Sequence, residues 1–171
     1  MAKKKMEIHQ EKYLNSILYF IKYCNNEYLG NTKLNKLLYY LDFISYRDRD
    51  KSVTGDQYIH NQYGPVPEMM DLMLANLHQN GYVKVERLPY RDNGIFKFEL
   101  VNEPDQTVFD AYEKKILSKI AKEFFLWSTD KIVGQTHLEA PWFYSKPYEK
   151  VDFAYSKDIE FFQNKTDDVE I

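Results

Sequence analysis

At Gly81 the spacing of apolar residues changes, and that change constrains the fold of this chain more than any other feature. Before it, apolar side chains recur with helical spacing; after it, "YVKVERL" and "IFKFELV" alternate in period two on either side of "PYRDNG". Alternation puts one apolar face on a strand, and Asp92, Asn93 and Gly94 accept the positive φ of a tight turn. Residues 82–101 therefore read as a β-hairpin. Two strands alone are marginal in water and need a surface to lie on, which the preceding helices supply.

Those helices are legible in their stripes. From Glu7 to about Asn25, Leu14, Ile17, Leu18, Ile21 and Cys24 fall on one face. Thr32 is placed to cap a second helix carrying Leu34, Leu37, Leu38 and Leu41, which stops near "YRDRDK". Val53 to Tyr63 has mixed polarity and reads as a loop or short strand. In "YIHNQYGPVPEMM", Gly64, Pro65 and Pro67 suit a hard corner and the first turn of a third helix, because proline lacks the N–H that has no partner there. Met69, Met70, Met73, Leu74 and Leu77 continue that helix to a stop at Asn80 and Gly81.

Beyond the hairpin, residues 107–127 read as a fourth helix with Phe109, Ile116, Ile120 and Trp127 apolar. "STDKIVGQTHLEA" reads as a short fifth, capped by Ser128 or Thr129 and ending against Pro141. "KDIEFF" fits one more turn, and the acidic "NKTDDVEI" is expected to fray. With no repeat, linker or low-complexity tract, the 171 residues read as one mainly α, α+β domain over 1–150 with a partly helical or frayed tail over 151–171. The order, three helices and then a hairpin, is that of winged-helix domains.

That order invites a DNA-reading hypothesis, and the charges oppose it. Net charge is -3, and Val66 to Asn80 contains Glu68, Asp71 and His78 but no Lys or Arg. The basic residues lie elsewhere, at Lys3 to Lys5, Lys33, Lys36, Arg47 and Arg49. An enzyme needs a nucleophile with a base, a carboxylate pair, a phosphate cradle or a metal cluster, and no motif for these is spelled. Cys24 lies on an apolar stripe, and His137 with Glu139 fits a helix-end arrangement as well as an acid–base pair. One cysteine implies a reducing, cytoplasmic setting; the lysines near the start lack the apolar run of a signal peptide, and no stretch is long enough to span a membrane. No metal or cofactor is expected.

What stands out is 15 Tyr, 11 Phe and 2 Trp, 16% aromatic, in a chain with mixed charge, a composition suited to a binding surface. "KLNKLLYYLDF" (33–43), "YGPVPEM" (63–69) and "THLEAPW" (136–142), in that order, resemble the signature blocks of the Panacea domain, the SocA-like antitoxin domain of phage-associated proteins. The resemblance covers roughly residues 10–145. It implies an α-helical body with a small sheet and a non-catalytic role: neutralising a toxin encoded by the adjacent gene through direct protein contact, or, in some members, delivering the toxin to a protease. Many members carry an additional DNA-binding module for which this chain has no room, so operon autoregulation and nucleic-acid binding by this chain alone are not expected.

Leu37, Gly64, Pro65, Val66, His137, Glu139 and Pro141 lie in the blocks and are expected to be structural, with Thr136 and Trp142 completing a helix stop. Tyr39, Tyr40, Arg47, Tyr58, Tyr63, Trp142, Phe143 and Tyr144 are the expected partner-facing residues, since aromatic rings with an arginine neighbour anchor many interfaces.

Overall fold

The structure, a computed structural model, describes residues 7–89 and 94–163. The hairpin turn at Tyr90 to Asn93, the basic Lys3 to Lys5 and the tail from Asn164 to Ile171 lie outside the described residues. In chain order the elements are α1 (Gln10–Tyr23), α2 (Asn31–Arg49), β1 (Tyr58–Asn61), β2 (Gly64–Pro67), α3 (Met70–Gln79), β3 (Val83–Leu88) and β4 (Ile95–Leu100). They continue with a 3-10 turn (Gln106–Val108), α4 (Ala111–Phe124), α5 (Thr129–Leu138), α6 (Ala140–Phe143) and a second 3-10 turn (Phe153–Asp158). The protein is mainly α, with the expected antiparallel hairpin β3–β4 after the third helix and a second small antiparallel sheet, β1–β2, before it.

The centre of the molecule is α2. An amphipathic helix buries one stripe, but here every residue from Lys36 to Ser45 is buried, so α2 is enclosed on all sides. α1, α4, α5, β2 and the second 3-10 turn pack around it. Leu34, Leu37, Leu38 and Leu41 meet Ile17, Phe20 and Ile21 of α1 and Ile116, Leu117, Ile120 and Phe124 of α4 in one core. The fourth helix begins later than its apolar pattern, at Ala111, because Asp110 and Glu113 form a reciprocal capping box at its start. α2 begins at Asn31 with Gly30 as N-cap, so Thr32 lies inside the helix instead of capping it. Ser128 does cap α5, accepting from the Lys131 amide (3.2 Å). Pro141 does not end the region; it sits in the first turn of α6.

The main correction concerns Gly64–Pro67. These residues form a strand paired with β1, and α3 starts only at Met70. The prolines are two apart, so both fall on the same backbone side. Tyr58 O accepts from the Val151 amide, and His60 pairs with Tyr148 and Glu149, so Tyr58 and His60 turn their backbone groups away from β2. Their register partners, Pro67 and Pro65, therefore stand where the ladder needs no donor. The segment at 148–151 thus lies along the far edge of β1. From there to Phe162 the chain packs on the core: Val151, Phe153 and Ile159 are buried, and Arg47 Nη1 and Nη2 donate to the carbonyls of Ile159, Phe161 and Phe162. The turn expected over "KDIEFF" lies slightly earlier, at Phe153–Asp158.

Candidate functional site

The three sequence blocks at 33–43, 63–69 and 136–142 converge on Gly64. This residue has φ +104°, the region that favours glycine. A Cβ there would lie 2.5 Å from Thr136 Oγ1 and 2.7 Å from Lys36 Cε, so one block from each third of the chain meets at a point with no space for a methyl group. The Lys36 ammonium is fully buried and donates to Pro65 O (2.9 Å). With no carboxylate beside it, burial lowers its pKa to about 7. Thr136 Oγ1 donates to Val133 O (2.7 Å), which fixes the hydroxyl against the turn.

One helical turn along, Glu139 is buried between α2 and α5. Tyr39 and Tyr40 donate to its two carboxyl oxygens (3.0 and 3.1 Å), and Gln135 Nε2 reaches it at 3.3 Å. Burial dominates these hydrogen bonds and raises its pKa to about 7. A second acid, Asp42, accepts from the amides of Val53 and Thr54, the Thr54 hydroxyl and the Tyr58 hydroxyl, and burial raises it to about 6. A third, Asp56, takes the Tyr13 hydroxyl (2.6 Å) and the Met69 amide (2.8 Å). The core is therefore built with tyrosines whose rings pack among hydrocarbon and whose hydroxyls end on buried carboxylates.

This arrangement corrects part of the expected binding surface. Tyr39, Tyr40 and Tyr58 are fully buried, since their hydroxyls are committed to Glu139 and Asp42, and no partner reaches them in this fold. Arg47 is also withdrawn, held between the Asp48 carboxylate and the carbonyls of the 159–162 segment. Leu37, Gly64, Pro65, Glu139 and Pro141 are buried, and Val66 and His137 are half-buried.

Of the other expected residues, Tyr63 lies in the β1–β2 turn, Trp142 and Phe143 in α6 and Tyr144 just after it. Trp142 stacks with both His60 (4.2 Å between centroids) and His137 (4.0 Å), and its indole N–H donates to Asn61 O (2.8 Å). Ser145 Oγ donates to Trp142 O and lies 2.7 Å from His60 Nδ1, so this ring nitrogen carries the proton in that contact. Burial lowers the pKa of both histidines, leaving neutral rings against the indole. The Trp142 bond ties α6 to the β1–β2 turn. Exposed on the adjoining segments are Tyr63 (50%), Leu138 (80%), Phe143 (64%), Tyr144 (63%) and Tyr148 (83%). Phe143 packs edge-on against Tyr144, which packs against Tyr155 (5.4 Å). Their place beside the third block marked Phe143 and Tyr144 in the sequence, whereas Leu138 and Tyr148 carried no such mark. Nor did Asn61 and His60, whose contribution depends on the strand that the prolines disguised.

Among the described residues no group of His, Cys, Asp and Glu is arranged to hold a metal ion, and no helix is long and apolar enough to cross a membrane. α3 carries Asp71 and His78 and neither Lys nor Arg. The arrangement is a hydrogen-bonded junction of α6 and β1 with exposed apolar side chains on the segments beside it. The family model described as antitoxin SocA-like, Panacea domain, matches residues 34–143, and the chain belongs to that family. The match begins within α2 and ends in α6, so it takes in all three blocks that meet at Gly64 except Lys33 at the start of the first. No curated protein and no solved structure matches the chain.

Proposed function

We propose that this protein is a cytoplasmic, non-catalytic antitoxin that binds a toxin encoded by the adjacent gene and blocks it by covering it. The observation that supports this reading is the set of exposed apolar side chains at Tyr63, Leu138, Phe143, Tyr144 and Tyr148, on segments in or beside the family's second and third blocks. Aromatic side chains have few rotatable bonds and lose little conformational entropy on contact, so their burial goes into affinity. Trp142 ties α6 to the end of β1 beside them. The absence of Lys and Arg from α3 favours a protein partner over a duplex.

The test is expression of the adjacent open reading frame alone and with this chain, followed by co-purification. Growth arrest by the first, rescue by the second and a stoichiometric complex are the expected results. Rescue that disappears in a host lacking one cytoplasmic protease would identify delivery for degradation in place of occlusion. Absence of both arrest and complex would reject the reading.

A further inference from the structure

The hairpin β3–β4 has one covered edge, on β4, and one edge, on β3, that is open beyond Val83. On the β4 side, Asn25 Nδ2 donates to Phe98 O (2.9 Å) and the Lys97 ammonium reaches Glu27 O and Leu29 O, so the α1–α2 loop covers that edge. Phe98 turns its carbonyl outward, and in antiparallel pairing its register partner Val85 then turns its own backbone groups outward on β3. His78 Nδ1, 3.3 Å from Val83 O, meets the same side of the strand two residues earlier. Among the described residues, no backbone group pairs with the outward amide and carbonyl of Val85.

An open edge is a template for another strand, and its sequence decides which. Val85 is flanked by Lys84 and Glu86, both exposed on the solvent face of the hairpin. An antiparallel copy centred on Val85 sets Lys84 opposite the partner's Glu86 and Glu86 opposite the partner's Lys84, while the two valines exchange both N–H···O bonds. Within the hairpin, Lys84 already faces Glu99 and Glu86 faces Lys97. The same face of the four strands would then read Glu99, Lys84, the partner's Glu86, the partner's Lys97, with charge alternating at each step. An edge guarded by like charges repels its own copy, whereas this one is complementary to itself.

We propose that the outer edge of β3 is a self-association surface, on which two copies of this chain pair antiparallel about Val85 to form a four-stranded sheet. Such an interface falls below the ~1,200 Å² that separates stable complexes from weak encounters, so the dimer forms at high protein concentration.

Analytical ultracentrifugation of the full chain from about 10 μM to about 1 mM tests this directly. The wild type is expected to shift from monomer to dimer across that range. Lys84→Glu and Glu86→Lys each set like charges opposite one another, and each alone should weaken association roughly tenfold. Mixed in equal amounts, the two variants become complementary and should form a heterodimer, a recovery that mere loss of hairpin stability would not produce. A wild type that stays monomeric throughout, single variants that associate like the wild type, or a mixture that fails to recover would each overturn the proposal. Toxin neutralisation by either variant is expected to be unchanged, which keeps this result separate from the antitoxin reading.

Discussion

Replacing Gly64 with alanine tests whether the family blocks are joined where the structure joins them. The substitution adds one methyl group and has two separable effects. A side chain at φ +104° costs about 1–2 kcal/mol through contact with its own backbone. The new Cβ would also lie 2.5 Å from Thr136 Oγ1 and 2.7 Å from Lys36 Cε, where neither neighbour yields easily, since the hydroxyl is bonded to Val133 O and the buried amine to Pro65 O. Overpacking of this kind adds about 1–3 kcal/mol. Gly64→Ala should therefore lose about 2–5 kcal/mol, a fall in Tm of about 5–15 °C for a chain of this size. Gly81 is the control: its φ is +76° and nothing lies within 4 Å of its Cβ position, so Gly81→Ala should cost only about 1 kcal/mol. Urea denaturation at one pH gives both values. Adding Thr136→Ala to Gly64→Ala should recover part of the loss, a non-additivity expected only for groups in contact. If Gly64→Ala costs no more than Gly81→Ala, the convergence of the three blocks on this residue is not what holds them together.

The buried acid between α2 and α5 gives a pH dependence of known sign. Glu139 has a folded pKa raised to about 7, so the folded state holds a proton that the unfolded state releases near 4.5; its contribution is complete at low pH and is lost as pH rises through about 7. Relative to Glu139→Gln, the wild type should lose on the order of 2–3 kcal/mol between pH 4.5 and pH 8 in urea titrations, and parallel curves would refute this. Lys36 behaves differently: its folded pKa is lowered to about 7, so stability is greatest above about 10.5 and falls as pH drops toward 7, and the wild type should gain on Lys36→Met between pH 7.5 and pH 10. Phe143→Ala combined with Tyr144→Ala removes two exposed rings, so Tm should stay within a few degrees while, on the proposed antitoxin reading, affinity for the toxin partner, measured by titration calorimetry, falls at least roughly thirtyfold. Arg47→Ala removes the donor to three carbonyls and should expose the 159–162 segment to limited proteolysis well before the rest of the chain.

The helices and the β3–β4 hairpin were legible because each buries a periodic face, as in Leu34, Leu37, Leu38 and Leu41, and period survives in sequence whatever the face packs against. Gly64–Pro67 was not legible, because proline is admissible both in a first helical turn and at strand positions outside the ladder. Only the pairing of Tyr58 and His60 with the 148–151 segment decides between the two. The tyrosines misled for a related reason. Tyr39, Tyr40 and Tyr58 have the composition of a contact surface, yet whether a hydroxyl points to solvent or to a carboxylate depends on residues far along the chain, here Glu139 about a hundred positions away from Tyr39 and Tyr40. Phe143 and Tyr144 were marked in the sequence by their place beside the third block, and the structure leaves both exposed, in and just after the four-residue α6.

The clasp of Arg47 on residues more than a hundred positions downstream has a consequence in time. A chain emerging from the ribosome carries α2 early but cannot close around it until the stretch through Phe162 has been made, and closures of such long range are slow to form. During synthesis the stretch that covers α2 is thus laid down more than a hundred residues after α2 itself, and this clasp is among the last contacts available to the chain.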